Sequence, residues 1–383
     1  MTRFDVIVVG LGAMGSAAAY QLAAGGRSVL GIEQFGPAHD RGSSHGRSRI
    51  IRQAYFEDPA YVPLLHRSYE LWERLERESG RRLLTMTGGL MLGPPEGDVV
   101  AGSVRSAREH NLPHDVLDAA EIHRRFPPFT PNAGEMGLYE QRAGFLDPEG
   151  CISAHLDWAA QLGAELRFNE PVSDWQATAA GVRVTTPVGA YEGGALVISP
   201  GAWGPALLRD LQLPLVIERQ VMYWFHPAGG TGPFEVGRFP VYIWETADGT
   251  QFYGFPAHDG PTGGAKVAIL RLEGSETTPE TIDRSIREDE VERMRAVVRG
   301  RVDALDAPLL AAKTCMYTTT PDEHFVIGLH PGHPQVAFAA GFSGHGYKFA
   351  SVVGEILAEL AVDGRTRHDI ELFAPDRFAD RPL

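Results

Sequence analysis

Residues 4–9, Phe-Asp-Val-Ile-Val-Val, run directly into Gly10-Leu11-Gly12-Ala13-Met14-Gly15, then an alanine-rich stretch from Ser16 to Ala24, then a second apolar run from Ser28 to Ile32 that ends at Glu33. This is a strand, a G-x-G-x-x-G turn, a helix, a strand and an acid in register. The three glycines serve a tight turn, backbone approach to a pyrophosphate and close helix–strand contact. The helix N-terminus adds free N–H groups and a positive dipole for phosphates, and Glu33 can accept from ribose hydroxyls. The unit predicts an ADP-containing cofactor and a parallel sheet, and by itself does not separate NAD from FAD.

The rest of the chain reads as α/β, α+β overall: a Rossmann-type cofactor domain with a second, antiparallel-sheet substrate domain. Residues 39–55 are rich in glycine, serine and arginine, with Arg47, Arg49 and Arg52 beside Ile50 and Ile51, as expected of a segment lining a large polar or anionic ligand. Residues 63–79 place Leu65, Tyr69, Trp72 and Leu75 on one helical face. Helices are also expected over Cys151–Gly163, over the charged stretch 279–299, and from Tyr347 to about Val362. Residues 219–273 alternate apolar and polar around turn signals such as Asp248-Gly249, predicting antiparallel sheet. The strand Gln335–Ala340 and the turn Gly341–Gly346 return to the style of the N-terminus. The cofactor domain is therefore expected to be discontinuous, over 1–85, 145–215 and 320–383, with 86–144 and 216–319 as the substrate domain.

Composition narrows the function classes. Among 383 residues, 35 basic against 49 acidic side chains leave a net charge of −14, which disfavours nucleic acid and anionic membrane surfaces as partners. There is no apolar run of transmembrane length. Two cysteines, Cys151 and Cys315, cannot make a disulfide scaffold, so a reducing cytoplasm is expected. Only three of the 35 basic residues are lysines, Lys266, Lys313 and Lys348. Codon bias explains the general arginine excess, and each surviving lysine is a candidate for a place that uses a compact, titratable charge.

Several motifs in order, over essentially the whole chain, resemble the flavin-dependent amine oxidases of the monomeric sarcosine oxidase and N-methyltryptophan oxidase family. They are Gly10–Gly15 with Glu33, Gly42-Ser43-Ser44-His45-Gly46 through Arg49 and Arg52, Gly201-Ala202-Trp203, Tyr253-Gly254-Phe255-Pro256, Lys266, Cys315-Met316-Tyr317-Thr318, Asp322-Glu323-His324-Phe325, and Gly341-Phe342-Ser343-Gly344-His345-Gly346-Tyr347-Lys348. The resemblance implies FAD, bound covalently through Cys315 as a thioether to the flavin 8α-methyl, and a monomer acting on a small amine with oxygen as acceptor. It implies no metal. Cofactor contacts are expected from Gly10, Gly12, Ala13, Met14, Gly15, Glu33, Ser43, Ser44, His45, Ser48, Arg49, Val172, Gly201, Trp203, Cys315, Met316, Phe342, Gly344, His345, Gly346 and Lys348.

The same resemblance implies the catalytic set. Arg49 and His45 stand beside the flavin, Lys266 beside its N5 to promote reaction with oxygen, and Tyr253 and Tyr317 line the substrate cavity. Arg52 and Lys348 hold the substrate carboxylate. Two of the three lysines thus fall on functional positions, and Cys151 is left as structural. One departure concerns specificity. The sarcosine oxidases have a histidine four residues after the lysine, and this chain has Leu270. A leucine makes the pocket more apolar and favours a larger or less polar amine substituent. Trp244, in Tyr242-Ile243-Trp244-Glu245, is a further candidate substrate contact.

The expected activity is oxidative demethylation of N-methyl amino acids. Alternatives keep the fold and act on N-methyltryptophan, a cyclic imino acid such as pipecolate or proline, or a glycated amino acid. Further alternatives are a FAD dehydrogenase with another acceptor, a non-catalytic flavoprotein, and a nicotinamide dehydrogenase. The terminal Arg-Pro-Leu is not a peroxisomal Ser-Lys-Leu signal, consistent with the cytoplasmic expectation.

Overall fold

The strand Arg3–Val9 is buried on both faces from Val6 to Val9, as its unbroken apolar run requires of a central parallel strand. A computed structural model describes residues 3–260, 262–272 and 274–378; the terminal Arg381-Pro382-Leu383 lies outside them. Arg3–Val9 runs parallel to Val29–Ile32 on one side and to Ala190–Ile198 on the other. The sheet extends in parallel through Glu165–Arg167 and His333–Ala340. An antiparallel hairpin, Asp174–Thr178 with Gly181–Thr185, and the strand Val326–His330 complete it.

The helix Ala13–Ala24 is buried almost all round because its residues are small. Its neighbours come very close: a Cβ on Gly354 of the helix Ala350–Asp363 would lie 2.5 Å from the Ala17 Cβ. The helix Pro148–Gln161 begins on an Asp147 carboxylate that accepts from the Gly150 N–H, an N-cap.

A second sheet runs in the order Leu309–Thr319, Val216–Phe225, Ala265–Ile269, Gln251–Gly254, Val241–Glu245, Gly89–Gly93, Met136–Glu140, Asp115–Asp118. Alternation along its strands sends side chains to two faces. Met222, Trp224, Ala268, Cys315 and Tyr317 share one face, and Val221, Tyr223, Phe225, Trp244, Phe252 and Val267 share the other. A three-stranded sheet of Arg49–Ile51, Gly144–Leu146 and Leu84–Met86 delivers Arg49 to the first of those faces.

The helix expected over 279–299 is present only as Glu288–Val298. Upstream, the Arg219 guanidinium takes the carbonyls of Asp283 and Ser285 at 2.5 and 2.6 Å, and Thr278 and Thr281 bond each other. Those carbonyls are held by a side chain rather than by a helical N–H, so the segment stays irregular. Within 86–144 the helix Asp98–Glu109 stands beside the strands of the second sheet. Among the described residues no helix is long and apolar enough to cross a membrane.

Candidate functional site

A cleft of about 300 Å³ runs from the glycine turn at the end of Arg3–Val9 to the inner face of the second sheet. At its first end the glycines divide their work. Gly10 has φ +85°, and a Cβ there would lie 2.5 Å from the Ser199 carbonyl oxygen. A Cβ on Gly15 would lie 1.8 Å from the Gly10 carbonyl oxygen, so this position sets the helix–strand approach. Gly12 meets nothing nearer than Ser44 Oγ at 3.9 Å, which leaves its backbone bare to the cleft. Glu33 accepts from the Leu11 and Phe35 N–H groups at 2.8 and 3.1 Å and lies 3.3 Å from His39 Nε2. The acid therefore braces the turn and presents a carboxylate to the cleft.

Ala13, Met14, Ser43, Ser44, Val172, Gly201, Trp203, Met316, Phe342, Gly344 and Gly346 line the same cleft with Gly10, Gly12, Glu33 and Arg49. A long cleft with a bare glycine backbone at one end suits a dinucleotide. His45, expected on the cleft wall, is not part of the lining; it follows the lining residue Ser44, is 1% exposed, and neither ring nitrogen has a partner among the described residues. Such an unpaired buried group calls for a polar ligand. Burial, and then the Arg49 charge, lower the His45 pKa to about 3, so its imidazole is neutral. These features fit FAD. Ser48 is buried behind the cleft and contributes through its carbonyl, which accepts from Arg49 Nη1 at 2.9 Å.

The far end is assembled from distant segments. Arg49 Nη2 donates to the Ser43 carbonyl at 2.7 Å and lies 3.9 Å from Cys315 Sγ. Burial pushes the Cys315 thiol up, against the pull of Arg49 and Lys266. Lys266, 1% exposed, donates to the carbonyls of Gly46 and Ser48 at 3.0 and 2.5 Å. Its ammonium stands 4.0 Å from the centre of the Phe255 ring. Among the described residues no carboxylate bonds it, and burial with the Arg49 charge holds its pKa well below the ordinary lysine value. The Tyr253 and Tyr317 hydroxyls are 3.3 Å apart, and the Tyr317 ring packs under Gly344, where a Cβ would come within 2.5 Å of it.

Beyond Tyr317 lies a cationic pair. Arg52 stacks 4.2 Å from the Tyr55 ring centre and pairs with Glu57 at 2.6 Å. Lys348 Nζ donates to the His345 carbonyl at 2.6 Å and to the Tyr55 hydroxyl at 3.4 Å. Burial, reinforced by Arg52 and opposed by Glu57, lowers the Lys348 pKa to about 7. A wider crevice of about 940 Å³ lies beside this pair, walled by its partners Glu57 and His345 together with Leu270 and Arg271.

Four expectations change. Trp244 is not a substrate contact: it is fully buried on the opposite face of its strand, stacked on Phe252 at 5.7 Å, with its indole N–H on Glu135. Strand alternation is the reason, and Ile243, in register with Tyr253, holds the inward position. His345 faces the wider crevice rather than the dinucleotide cleft, its ring bridging the Tyr55 hydroxyl at 2.5 Å and the Glu323 carbonyl at 2.9 Å. Lys348 sits with the Arg52–Glu57 pair, outside the dinucleotide cleft. Gly15 acts behind the turn, on Gly10, rather than from the cleft wall.

Leu270 packs on the inner-face cluster of Met222, Trp224, Cys315 and Tyr317. Sequence reasoning missed Tyr55, Glu57 and Arg271. The Arg52-to-Glu57 spacing was visible, yet an irregular segment carries no periodicity that would bring the two together. Cys151 is buried in the main core, and Lys313 is an exposed lysine 3.7 Å from Asp40.

Comparison with known proteins follows the same lines. A monomeric sarcosine oxidase from Streptomyces avermitilis is 57% identical over 380 residues, 99% of each chain. Another from Bacillus sp. is 40% identical over 381 residues, 98% of this chain and 96% of that one. Among solved structures, NikD, an unusual amino acid oxidase essential for nikkomycin biosynthesis, superposes with a TM-score of 0.83 at 26% identity, covering 98% of each chain. The sequence profile of the FAD dependent oxidoreductase family, DAO, matches residues 5–360, and the chain belongs to that family.

Proposed function

We propose that this chain is an FAD-dependent oxidase of secondary N-methyl α-amino acids. The overall reaction takes the amine, oxygen and water to the primary amino acid, formaldehyde and hydrogen peroxide. The observation that carries the reading is the buried Arg52 and Lys348 pair sharing the Tyr55 ring beyond the cleft. Two fixed cations suit a substrate carboxylate. FAD, when bound, supplies two-electron acceptor chemistry and returns those electrons to oxygen.

The protein positions and charges the site. Arg52 and Lys348 hold the carboxylate, and their charge lowers the pKa of the substrate amine, favouring the neutral form that reacts. Tyr253, Tyr317 and Leu270 wall the N-methyl group. Arg49, on the cleft wall, would supply positive charge beside the reduced flavin. Lys266 is held by two backbone carbonyls, with no carboxylate partner among the described residues, in a dry setting suited to stabilising negative charge developing on oxygen.

The reading includes a thioether from Cys315 to the flavin 8α-methyl. Cys315 would hold FAD through this bond, with the thiol and the 8α-methyl each giving up one hydrogen and oxygen taking the two electrons. The support is a free, buried thiol next to Arg49 on the face that ends the cleft. The two large sheets divide their strands in keeping with a cofactor domain over 1–85, 145–215 and 320–383, and the three-stranded sheet lies at the boundaries near residues 85 and 145. A monomer in a reducing cytoplasm accords with two cysteines that are both free.

Acid precipitation of the purified holoenzyme tests this directly. Yellow colour stays in the pellet, the Cys315 peptide carries the mass of FAD, and N-methyl amino acids release peroxide. Flavin released to the supernatant removes the covalent link. A panel of N-methyl amino acids that neither bleaches the flavin nor yields peroxide removes the activity.

A further inference from the structure

The crevice beyond the cationic pair holds donors that a simple N-methyl amino acid leaves unused. Arg271 follows Leu270 and lines the crevice with it. Its guanidinium pairs with Glu323 and donates from Nη2 to the Ser343 carbonyl at 3.3 Å, while its buried Nε–H has no acceptor among the described residues. The buried Nε–H of Arg52 is in the same condition. A buried donor left unpaired costs about 1–3 kcal/mol; the Arg271 donor is on the crevice wall and the Arg52 donor lies behind the wall residue Glu57, and together they point to an anionic ligand with two ends.

The charges around the crevice agree. Arg105, on the helix Asp98–Glu109, and Arg293, on the helix Glu288–Val298, are exposed on its wall, with no ion pair or hydrogen bond among the described residues. The acids of the same wall are mostly engaged: Glu57 by Arg52, Asp322 by Arg377, Glu323 by Arg271, and Asp248 by its own turn. Asp98 remains, in the first turn of its helix, where the dipole favours it. Phe56 and Leu270 supply apolar wall.

We infer that this crevice is a second anion subsite with Arg271 as its specificity-determining residue, and that the substrate class is N-methyl α-amino acids whose side chain ends in a carboxylate. The inference rests on the amine-oxidase reading above. Arg52 and Lys348 take the α-carboxylate, Leu270 and Phe56 flank the methylenes, and Arg271 Nε donates to the distal carboxylate. Arg105 and Arg293 draw the anion inward against the acidic net charge of the chain.

The test uses equilibrium binding to native holoenzyme, read from the perturbation of flavin absorbance, with glutarate and its half-amide glutaramate as unreactive probes. The two differ at one end by a charge and hardly in shape. Glutarate binds about tenfold more tightly at low salt; equal affinities, or tighter glutaramate, overturn the subsite. Arg271→Gln brings the ratio near one and Arg271→Lys restores part of it. An undiminished ratio in Arg271→Gln overturns the role of Arg271. Sarcosine and N-methylglutamate turnover separates the two levels of the claim. Peroxide from sarcosine with equal probe affinities removes the subsite alone. The glutarate preference without peroxide from either amine removes the oxidase reading and leaves the anion subsite standing.

Discussion

At the dinucleotide end of the cleft, Gly10, Gly12, Gly15 and Glu33 belong to one strand–helix–strand unit, and the Glu33 carboxylate reaches back only 22 residues to the Leu11 N–H. At the opposite end, Lys266 bonds a carbonyl 220 residues away and Arg49 approaches a thiol 266 residues away. The first end works by backbone shape: bare N–H groups, a positive-φ glycine and a contact that tolerates no Cβ. The second works by buried charge, with Lys266, Arg52 and Lys348 all drawn out of water. Shape can be encoded locally. Buried charge has to be held by partners from elsewhere, because each ion needs carbonyls or counter-ions to offset desolvation.

The sharpest way to break that contrast is Gly15→Ala. With its Cβ placed 1.8 Å from the Gly10 carbonyl oxygen, the turn cannot close, and flavin binding should be lost altogether. The protein should also lose about 3 kcal/mol of stability. The ratio of flavin to protein absorbance after purification reports the first and denaturant unfolding the second. A fully flavinylated Gly15→Ala protein would refute the shape argument.

Next in size is Lys266→Met, which removes the cation at the charged end while keeping a long side chain. Reoxidation of the reduced enzyme by oxygen should slow about a hundredfold, with anaerobic reduction by substrate changed far less. Stopped-flow measurement of the two half-reactions decides it, and unaltered oxygen kinetics would take Lys266 out of that step.

Lys348 sharpens the contrast through pH. Burial first, then Arg52, put its folded pKa at about 7, below the ordinary lysine value. From pH 7 up to about 10.4 the unfolded chain keeps a proton that the folded one has released, so this group makes stability rise with pH across that window. Carboxylate binding runs the other way and should weaken about tenfold as pH rises through 7 and the ammonium is lost. Acetate or glutarate titrations from pH 6 to 9, flattened in Lys348→Met, are the measurement.

The smallest effect belongs to Trp244→Phe. Loss of the Glu135 hydrogen bond and part of the stacking on Phe252 should cost about 1–2 kcal/mol. KM should stay at the native value. A large change in KM with unaltered stability would return Trp244 to the chamber wall.

Much of this arrangement is readable along the chain. The unit from Arg3 to Glu33, the helix Val62–Ser79 and the strand His333–Ala340 follow from period and punctuation, and the motifs identify Arg49, Lys266 and Cys315 as a set. Trp244 shows the limit. An aromatic beside the right motif is half a pleat from the wrong face, and only the register with Phe252 and Tyr253 tells which way it points. Glu57 shows another: its partner Arg52 lies five residues upstream in an irregular segment, where no repeat predicts which side chains meet.

The sequence alone determined the dinucleotide turn, the two classes of sheet, the family and the scarcity of lysine, because each rests on neighbouring residues or on composition. The tertiary structure decided that, among the described residues, Lys266 stands without a carboxylate, Arg52 is held by Glu57, and the Nε–H of Arg271 is left open on a charged crevice. Those are statements about what surrounds a buried charge. Desolvation and its compensation depend on every element packed around the group, and no stretch of chain holds that information by itself.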